Sequence, residues 1–600
     1  MRSGQSSRGR LLTGVGMAVL LQACGGGANT NPATVSLSLS AGPSSQAAMS
    51  GYRHVWITIT GMAYSLVGIE AYSPTDPNWT VVSLPSAITV DLANLNQGTL
   101  LNILNNMQIN AGNYLQMRLL LAPTNTAATQ EQSTATTPLR ETSTISTYDS
   151  NGLALQWNNQ VEYTRNGSVV YEAPLEAPLP QIGLFVGLMQ SFGNGGVYPE
   201  DLDINLDHAL VPFNQPNVPG GLGFALAPQA TLHNLQMAGD IHGTLDASKL
   251  CQPGGSTVNC ANHVVAMAEL QRIDANLNVS YFSVHSAAVN PVDGTFDLFP
   301  LDSNSITGVN YEVVLRGDNM QDIVINEVPV LAGSSPATTY YGGTNGIIAG
   351  NLPTELSTGV IPVTVLSGGF TPQPLKSMTT VSPWGAAAGY WAFMQTPTGY
   401  FYPFEMLWIN TDPFTGMLPN LPETPQLSTG GMSQAYYVFN TAPAFVTTIP
   451  AQGSGAYNVL SDGPVYETTS PVTTTTPVVS ATTPQFTPMA PLGVPTIPPA
   501  SLTLNFSVTN SGGYDRGQLV FSDLAGIVSA VDLTSVLNKS TSTATLTLPT
   551  GSSALQAPGS IFYPYLRLWK STSTDVPLLL EIPVINMSQG AINPVSVTIP

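Results

Sequence analysis

The densest set of side chains able to bind an ion is an acidic segment in the first half of the chain. Asp201, Asp203, Asn205 and Asp207 alternate with apolar residues, so a β-strand would place all four on one face. Ca²⁺ prefers such oxygen ligands. Alternate side chains on a strand nevertheless lie about 6.6 Å apart, too far for more than two to share one ion. We therefore expect a solvated acidic strand face, with a calcium site as the alternative.

The histidines do not form a recognisable metal or catalytic motif. None of the six falls at a zinc-binding spacing such as HExxH, and neither a GxSxG elbow nor a GxxxxGK[ST] phosphate loop occurs in the sequence. We expect all of them to be ordinary strand or loop residues: His54, His208, His233, His242, His263 and His285. The sequence thus predicts no catalytic residue, no metal site and no cofactor.

Two of the three cysteines are close together in the sequence. The eight residues between Cys251 and Cys260 are rich in Gly, Pro, Ser, Thr and Asn, which favour turns. In an oxidising compartment this pair is expected to form a disulfide. Metal ligation is the weaker alternative, because no third ligand lies nearby.

The N-terminus has the composition of an export signal. Arg2, Arg8 and Arg10 precede an uncharged, mostly apolar run at residues 11–21. As a helix this run would rise about 16 Å, against about 30 Å for the hydrocarbon core of a bilayer. A cleaved signal peptide covering residues 1–23 is therefore favoured over a spanning anchor.

The end of this signal resembles the lipobox of bacterial lipoproteins, on the evidence of Leu21, Ala23 and Cys24. The resemblance implies that Cys24 becomes the N-terminus and carries lipid, and two or three acyl chains anchor a protein durably to a membrane. Gly25, where Asp would favour retention in the inner membrane, points to the outer membrane in a host with two membranes. An ordinary secretory signal with an incidental cysteine is the alternative.

The composition argues against nucleic-acid binding. The 600 residues include 35 acidic and 15 basic ones, and only 8% are charged. Removal of residues 1–23 takes three arginines and no acid, which leaves 12 basic residues and a net charge of −23. Phosphate backbones repel such a surface. The low charge and high Ser and Thr content are typical of secreted β-proteins.

Alternating apolar and polar residues predict a mainly β fold, with several β-sandwich modules in tandem and a Pro/Thr-rich linker. The segment 91–107 is the one plausible helix before residue 124. The predicted organisation begins with a signal peptide (1–23), a flexible tether (24–34) and a first β domain (35–240). A second β-sandwich (241–332), a third β-rich domain (333–466), the Pro/Thr-rich linker (467–500) and a C-terminal β-sandwich (501–600) follow.

Two segments resemble known families. Residues 33–245 resemble the domain of unknown function DUF4382, through the 52–60 strand, the Asp91-Leu92 start of a Leu-rich segment, the Ala111-Gly112-Asn113-Tyr114 turn and the 239–244 exit. Residues 241–330 resemble a carboxypeptidase-regulatory-like domain, a prealbumin-like β-sandwich that serves as a spacer, through the patterns at 264–268, 293–298 and 311–317. Neither resemblance implies a chemistry.

Aromatic residues are concentrated at 384–408. They either form a face that binds a surface glycan or protein, or fill the core of the third domain. We expect a lipid-anchored cell-envelope protein with a non-catalytic binding or adhesion role. A structural spacer and an enzyme with an unrecognised site are the alternatives.

Overall fold

The computed structural model describes thirty-six strands and a few short helical turns. The described residues are 31–42, 52–66, 76–95, 98, 100–124, 155, 157–165, 169–176, 183–214, 221–226, 230–250, 264–273, 279–303, 308–317, 323–330, 354–355, 360–363, 373–376, 388–395, 401–409, 436–439, 443–447, 458–462, 472–473, 478–480, 483–485, 499–508, 513–523, 526–537, 541–549, 561–572, 577–582, 585–586 and 592–599. Within these ranges the strands fall into four successive units, which confirms the predicted mainly β class with several sheets in tandem.

The first unit is a sandwich of two sheets. It contains β1 (Ala33–Gly42), β2 (Tyr52–Ser65), β3 (Trp79–Asp91), β4 (Leu101–Ile109), β5 (Gly112–Leu121), β6 (Gln160–Arg165), β7 (Val169–Glu176), β8 (Leu184–Phe192), β9 (Val197–Asn205), the one-turn helix α1 (Leu206–Ala209), β10 (Leu210–Asn214), β11 (Leu222–Leu226) and β12 (Thr231–Asn234). One sheet has the order β12-β9-β1-β4 and the other β10-β11-β7-β6-β2-β5-β8, with β3 paired to β2.

Alternation explains how the first unit builds its core. Val35, Leu37 and Leu39 of β1 are fully buried and pack with Leu202 and Ile204 of β9 against the larger sheet. Successive side chains on a strand point to opposite faces, so these residues share the inner side of the small sheet. The serines of β1 therefore lie on its outer side.

The second unit is a smaller sandwich. It contains β13 (Ala238–Thr244), β14 (Val264–Ile273), β15 (Val279–Ala288), β16 (Thr295–Asp302), β17 (Val309–Gly317), β18 (Ile323–Val330) and β19 (Thr354–Glu355). The sheets β16-β13-β19 and β15-β14-β17-β18 enclose one apolar core. Because β19 pairs with β13 and Ile361 bridges to Leu245, this unit extends beyond residue 332.

Two further units complete the described chain. The third contains β20 (Gln373–Lys376), β21 (Ala388–Gln395), β22 (Phe401–Ile409), β23 (Tyr436–Phe439), β24 (Pro443–Thr447), β25 (Asn458–Asp462), β26 (Val472–Thr473), β27 (Val478–Ser480) and β28 (Thr483–Gln485). The fourth contains β29 (Pro499–Val508), β30 (Arg516–Asp523), β31 (Gly526–Asp532), the helix α2 (Thr534–Leu537), β32 (Thr541–Pro549), β33 (Ile561–Trp569), β34 (Leu578–Glu581), β35 (Ile585–Asn586) and β36 (Ile592–Ile599). Strands β26 to β28 lie within the predicted linker.

An ion pair joins the fourth unit to the first. The guanidinium of Arg567 in β33 donates to both oxygens of Glu176 at the end of β7, at 3.0 Å from Nε to Oε2 and 3.0 Å from Nη2 to Oε1. Gln518 accepts a further bond from Arg567, whose guanidinium also lies over the Trp569 ring. Both charged side chains are buried, so the contact connects residues 391 positions apart away from bulk water.

The predicted helix at 91–107 is wrong. The segment instead forms the end of β3, a 3-10 turn at Leu92–Asn94 and strand β4. Asp91 caps the turn by accepting from the Ala93 amide. Ile103, Met107 and Ile109 then face the core from one side of the pleat, while pairing with β1 satisfies the backbone. Sheet pairing overrides the helical spacing of the leucines.

None of the helices among the described residues combines the length and the apolar character needed to cross a bilayer.

Candidate functional site

The acidic strand β9 lies at the centre of a polar sheet face. It runs between β1 and β12, with Asp201 opposite Ser38 on one side and His233 on the other. Asp203 lies opposite Ser40. Because the apolar residues of β1 and β9 face the core, these serines, aspartates and the histidine share the outer face of the small sheet.

The second unit covers this outer face. Asp201 and Asp203 are 0% and 2% exposed, and Ser40 and His285 are similarly buried. The approach is close: a Cβ added to Gly42 of β1 would lie 2.3 Å from the Ser286 hydroxyl oxygen of β15. The expectation of a solvated acidic face is therefore wrong, because the neighbouring unit takes the place of water.

Six side chains from five strands meet between the two units. We call them the junction cluster: Ser40 of β1, Asp201 and Asp203 of β9, His233 of β12, His285 of β15 and Asp302 of β16.

Hydrogen bonds link the first unit directly to the second. His285 Nδ1 donates to Asp203 Oδ2 at 2.9 Å, across the junction. The hydroxyl of Ser40 donates to Asp201 Oδ2 at 2.5 Å and also approaches Asp203 Oδ1 at 3.3 Å. The carboxylate of Asp203 is thus shared by both units.

A second pair crosses the junction at its edge. His233 Nδ1 donates to Asp302 Oδ1 at 2.9 Å. The imidazole of His233 is 1% exposed, whereas the Asp302 side chain is 56% exposed. The buried imidazole of His233 in the first unit is therefore paired with Asp302 at the solvent-exposed edge of the second unit.

Burial and neighbouring charges set the protonation of the cluster. Burial raises the pKa of Asp201 to about 7, against the hydrogen bond from Ser40, which lowers it. Burial opposes the ionised forms of Asp203 and Asp302 as well, but His285 and His233 respectively hold their pKa values below the usual range. Burial disfavours the cation of His233, yet Asp302 and the β9 carboxylates raise its pKa to about 9.

Glu200 adds an acid on the opposite face of β9. Its position in the alternation places it with Leu202, inside the first unit, where it is 2% exposed. Burial raises its pKa to about 8, with Asp302 the next contribution. Neither carboxyl oxygen has a hydrogen-bond partner within the described chain. At neutral pH this residue is therefore a buried neutral acid.

The cluster contains serine, histidine and aspartate but not in the connectivity of a nucleophilic triad. A triad joins the serine hydroxyl to a histidine, which takes its proton. Here the Ser40 hydroxyl is bound to carboxylates, and His285 reaches only Asp203 through Nδ1. Since these groups are buried between the units, a substrate has no access while the junction is closed. The arrangement suits adhesion between units rather than chemistry on a ligand.

The carboxylates of β9 were also considered above as calcium ligands. In the part of the chain that the structure describes, no group of three or more His, Cys, Asp and Glu side chains is placed to hold a metal ion. Asp207 lies in α1 rather than on β9, so the predicted acidic alternation ends at Asn205.

Histidine–aspartate pairing recurs elsewhere in the described chain. His54 of β2 bonds Asp91 at 2.5 Å, and His242 of β13 bonds Asp297 of β16. These two pairs are internal to one unit each, whereas His233 and His285 pair across the junction. The expectation of ordinary strand residues misses this pairing, because the partners lie between 37 and 82 positions apart.

Several predicted site residues lie outside the described residues: Cys24, Cys251, Cys260 and His263. In the aromatic segment 384–408, β21 and β22 pair through their backbones, and their side chains also lie outside the described set. The lipid site, the disulfide and the binding face stay predictions.

Sequence comparison finds no match among curated proteins. Among solved structures the chain is similar to the Bacillus anthracis TIE protein, at 8% identity over 90% of this chain and 68% of that one, with a TM-score of 0.14. Residues 32–172 match the family model described as domain of unknown function (DUF4382). This segment holds β1 to β6 and the start of β7, including Ser40 of the junction cluster. The first unit of this chain therefore contains a DUF4382 domain.

Proposed function

We propose that this protein is a non-catalytic scaffold of the cell envelope, anchored by lipid on Cys24, in which the first two units act as one rigid body. The observation that carries the scaffold role is the buried bond between Asp203 and His285. A flexible tandem array would keep exposed polar faces between its units, whereas here the polar face of β9 is buried by its neighbour.

The connection between the units supports the same proposal. Only residues 235–237 separate β12 from β13. Leu235 donates its amide to the Pro199 carbonyl, and its side chain packs with Leu100 and Phe299, one from each unit. A short, anchored connection limits independent motion of the two sandwiches.

Anchoring is supported by the N-terminal sequence described above, and the low charge and high Ser and Thr content fit an exported β-protein. The second unit has the two-sheet form of the proposed carboxypeptidase-regulatory-like spacer. We further propose that Cys251 and Cys260 form a disulfide in its β13–β14 connection. A binding or adhesion role would depend on the aromatic side chains of the third unit.

Rigidity is testable by pulsed electron–electron double resonance, which measures the distribution of distances between two spin labels. Spin labels at Val197→Cys and Val292→Cys, both exposed positions in different units, report the junction. The background chain begins at residue 24 and carries Ser at positions 24, 251 and 260. Labels at Leu115→Cys and Val197→Cys, both in the first unit, give the width of the distance distribution expected of a rigid pair. We expect the distribution across the junction to be as narrow as this one at mildly acidic pH. A much broader distribution across the junction at every pH would refute the scaffold.

Anchoring needs a separate test. Cells expressing the full chain and its Cys24→Ser variant are fed a fatty-acid analogue, and the protein is examined for label. We expect label on the wild type alone. Equal labelling of both chains would refute attachment at Cys24.

A further inference from the structure

The junction cluster carries more titratable groups than adhesion between two β-sandwiches requires. We propose that the cluster is a proton-operated latch, in which bound protons hold the first two units together and their loss releases them. The proposal concerns this interface whatever the protein does at the cell surface.

The first step of the argument is the position of the cluster. Asp201 interacts with Asp203 of its own strand, Ser40 of β1, His233 of β12 and His285 of β15, and Asp302 of β16 is bound in turn to His233. Separation of the units would return these groups to water. A change in their protonation is therefore coupled to opening of the junction.

The second step is that the junction depends on a proton at Asp201. Its ionised form would place a second carboxylate beside Asp203 in a site shielded from water. Among the described residues the Asp201 carboxyl accepts a hydrogen bond only from the Ser40 hydroxyl, and its other oxygen has no partner. One donor is too little to stabilise a second buried anion.

The third step is the sign of the pH dependence. In an open junction Asp201 would lose its proton near the ordinary value of 3.8, and in the closed one its pKa is about 7. Closure therefore weakens as pH rises between those values. His233 acts in the same direction: its pKa rises from 6.5 to about 9, so its stabilisation is complete below 6.5 and is lost as pH rises through 9.

The other two carboxylates of the cluster, Asp203 and Asp302, determine how closure of the junction weakens at low pH. The pKa values of Asp203 and Asp302 are lowered by their histidine partners, so their stabilisation is present above the ordinary value of 3.8 and is lost below it. Glu200 lies on the opposite face of β9, where burial and then the Asp302 charge raise its pKa to about 8; that charge is lost on opening, so Glu200 acts in the same direction as Asp201 but at higher pH. The latch should hold most firmly near pH 4 and weaken steadily from there to about pH 7.

The window between about pH 4.5 and 6 isolates Asp201, because His233 stays mostly protonated there in both states. One proton released per opening makes the opening equilibrium rise about tenfold per pH unit. We expect a rise of about 30-fold across this window in the wild type. The readout is the fraction of the broad distance component between labels at Val197→Cys and Val292→Cys, with a constant sub-denaturing concentration of urea to bring opening into range.

Asp201→Asn mimics the protonated side chain and should leave the open fraction flat across the same window. Asp293→Asn is the matched control, since Asp293 is an exposed acid of the second unit and should leave the wild-type response intact. His233→Gln provides a second variant if Asp201→Asn fails to fold. It should keep the response below pH 6.5 and lose the rise between about pH 7 and 9.

The outcomes separate this inference from the scaffold proposal. A narrow wild-type distribution that does not change with pH would overturn the latch and leave the scaffold in place. A response of Asp201→Asn equal to that of the wild type would also overturn it. A distribution that is broad at every pH would count against the scaffold itself.

Discussion

At the scale of single residues, the shared carboxylate of Asp203 is the most consequential group of the described chain. It accepts from His285 in the second unit and lies within reach of Ser40 in the first. Removing one partner of a buried pair lowers stability by more than the net stabilisation that the pair provides, because the other partner stays buried without compensation. The effect of a substitution here should therefore be strongly non-additive.

We expect Asp203→Asn and His285→Gln each to lower the free energy of separating the units by about 3 kcal/mol. The double variant should cost about as much as either single one, since the interaction can be lost only once. Calorimetry of the three variants and the wild type measures this, through the transition assigned to the junction. Simple addition of the two losses would contradict a direct bond.

At the scale of elements, the entry to strand β8 depends on a glycine. Gly183 has a φ of +67°, and a Cβ there would lie 2.3 Å from the Leu119 carbonyl oxygen of the neighbouring strand β5. Gly221 has a similar φ of +74°, but a Cβ there would meet nothing within 4 Å. An added Cβ would therefore cause only backbone strain at Gly221, whereas at Gly183 it would also clash with the neighbouring strand.

Gly221→Ala should lower the free energy of unfolding by about 1–2 kcal/mol, the cost of a left-handed conformation for a residue with a Cβ. Gly183→Ala should cost more than twice as much, because the β5 backbone must also shift. Denaturant titration of the two variants gives the comparison. Equal losses would show that the strand edge accommodates the methyl group.

At the scale of the whole molecule, Glu176 and Arg567 hold the fourth unit against the first. The side chains are 0% and 7% exposed, and the pair has the two-pronged geometry that makes arginine–carboxylate contacts strong. Trp569 and Gln518 also contact the guanidinium. The contact therefore joins the first and last units of the described chain.

We expect Glu176→Gln to release the fourth unit, since it leaves Arg567 buried opposite a neutral amide at a cost of about 3–5 kcal/mol. Small-angle scattering should show a larger radius of gyration, and the chain around β29 should be cut faster by protease. Asp515→Asn changes a partly exposed carboxylate that bonds Ser571 within the fourth unit and should leave both measurements unchanged. An unchanged radius in Glu176→Gln would show that other contacts hold the fourth unit.

The sequence by itself determined the strands, because alternation has the same period as the pleat. The predicted strand at 52–60 lies within β2, and the DUF4382 resemblance was recognisable from such packing and turn positions. The same pattern failed at 91–107, where the spacing of leucines fits a helix but pairing with β1 decides the outcome. It also left the lipid site at Cys24 as a prediction from local residues alone.

Only the tertiary structure decided what the polar faces do. A serine or aspartate that alternates with leucine looks the same in sequence whether its face meets water or another unit. Ser40, Asp203 and His285 come together because two sandwiches joined by three residues pack face to face, across 82 positions of sequence between Asp203 and His285. Long-range packing, rather than local periodicity, turned an expected solvated strand face into a buried junction whose closure depends on protons.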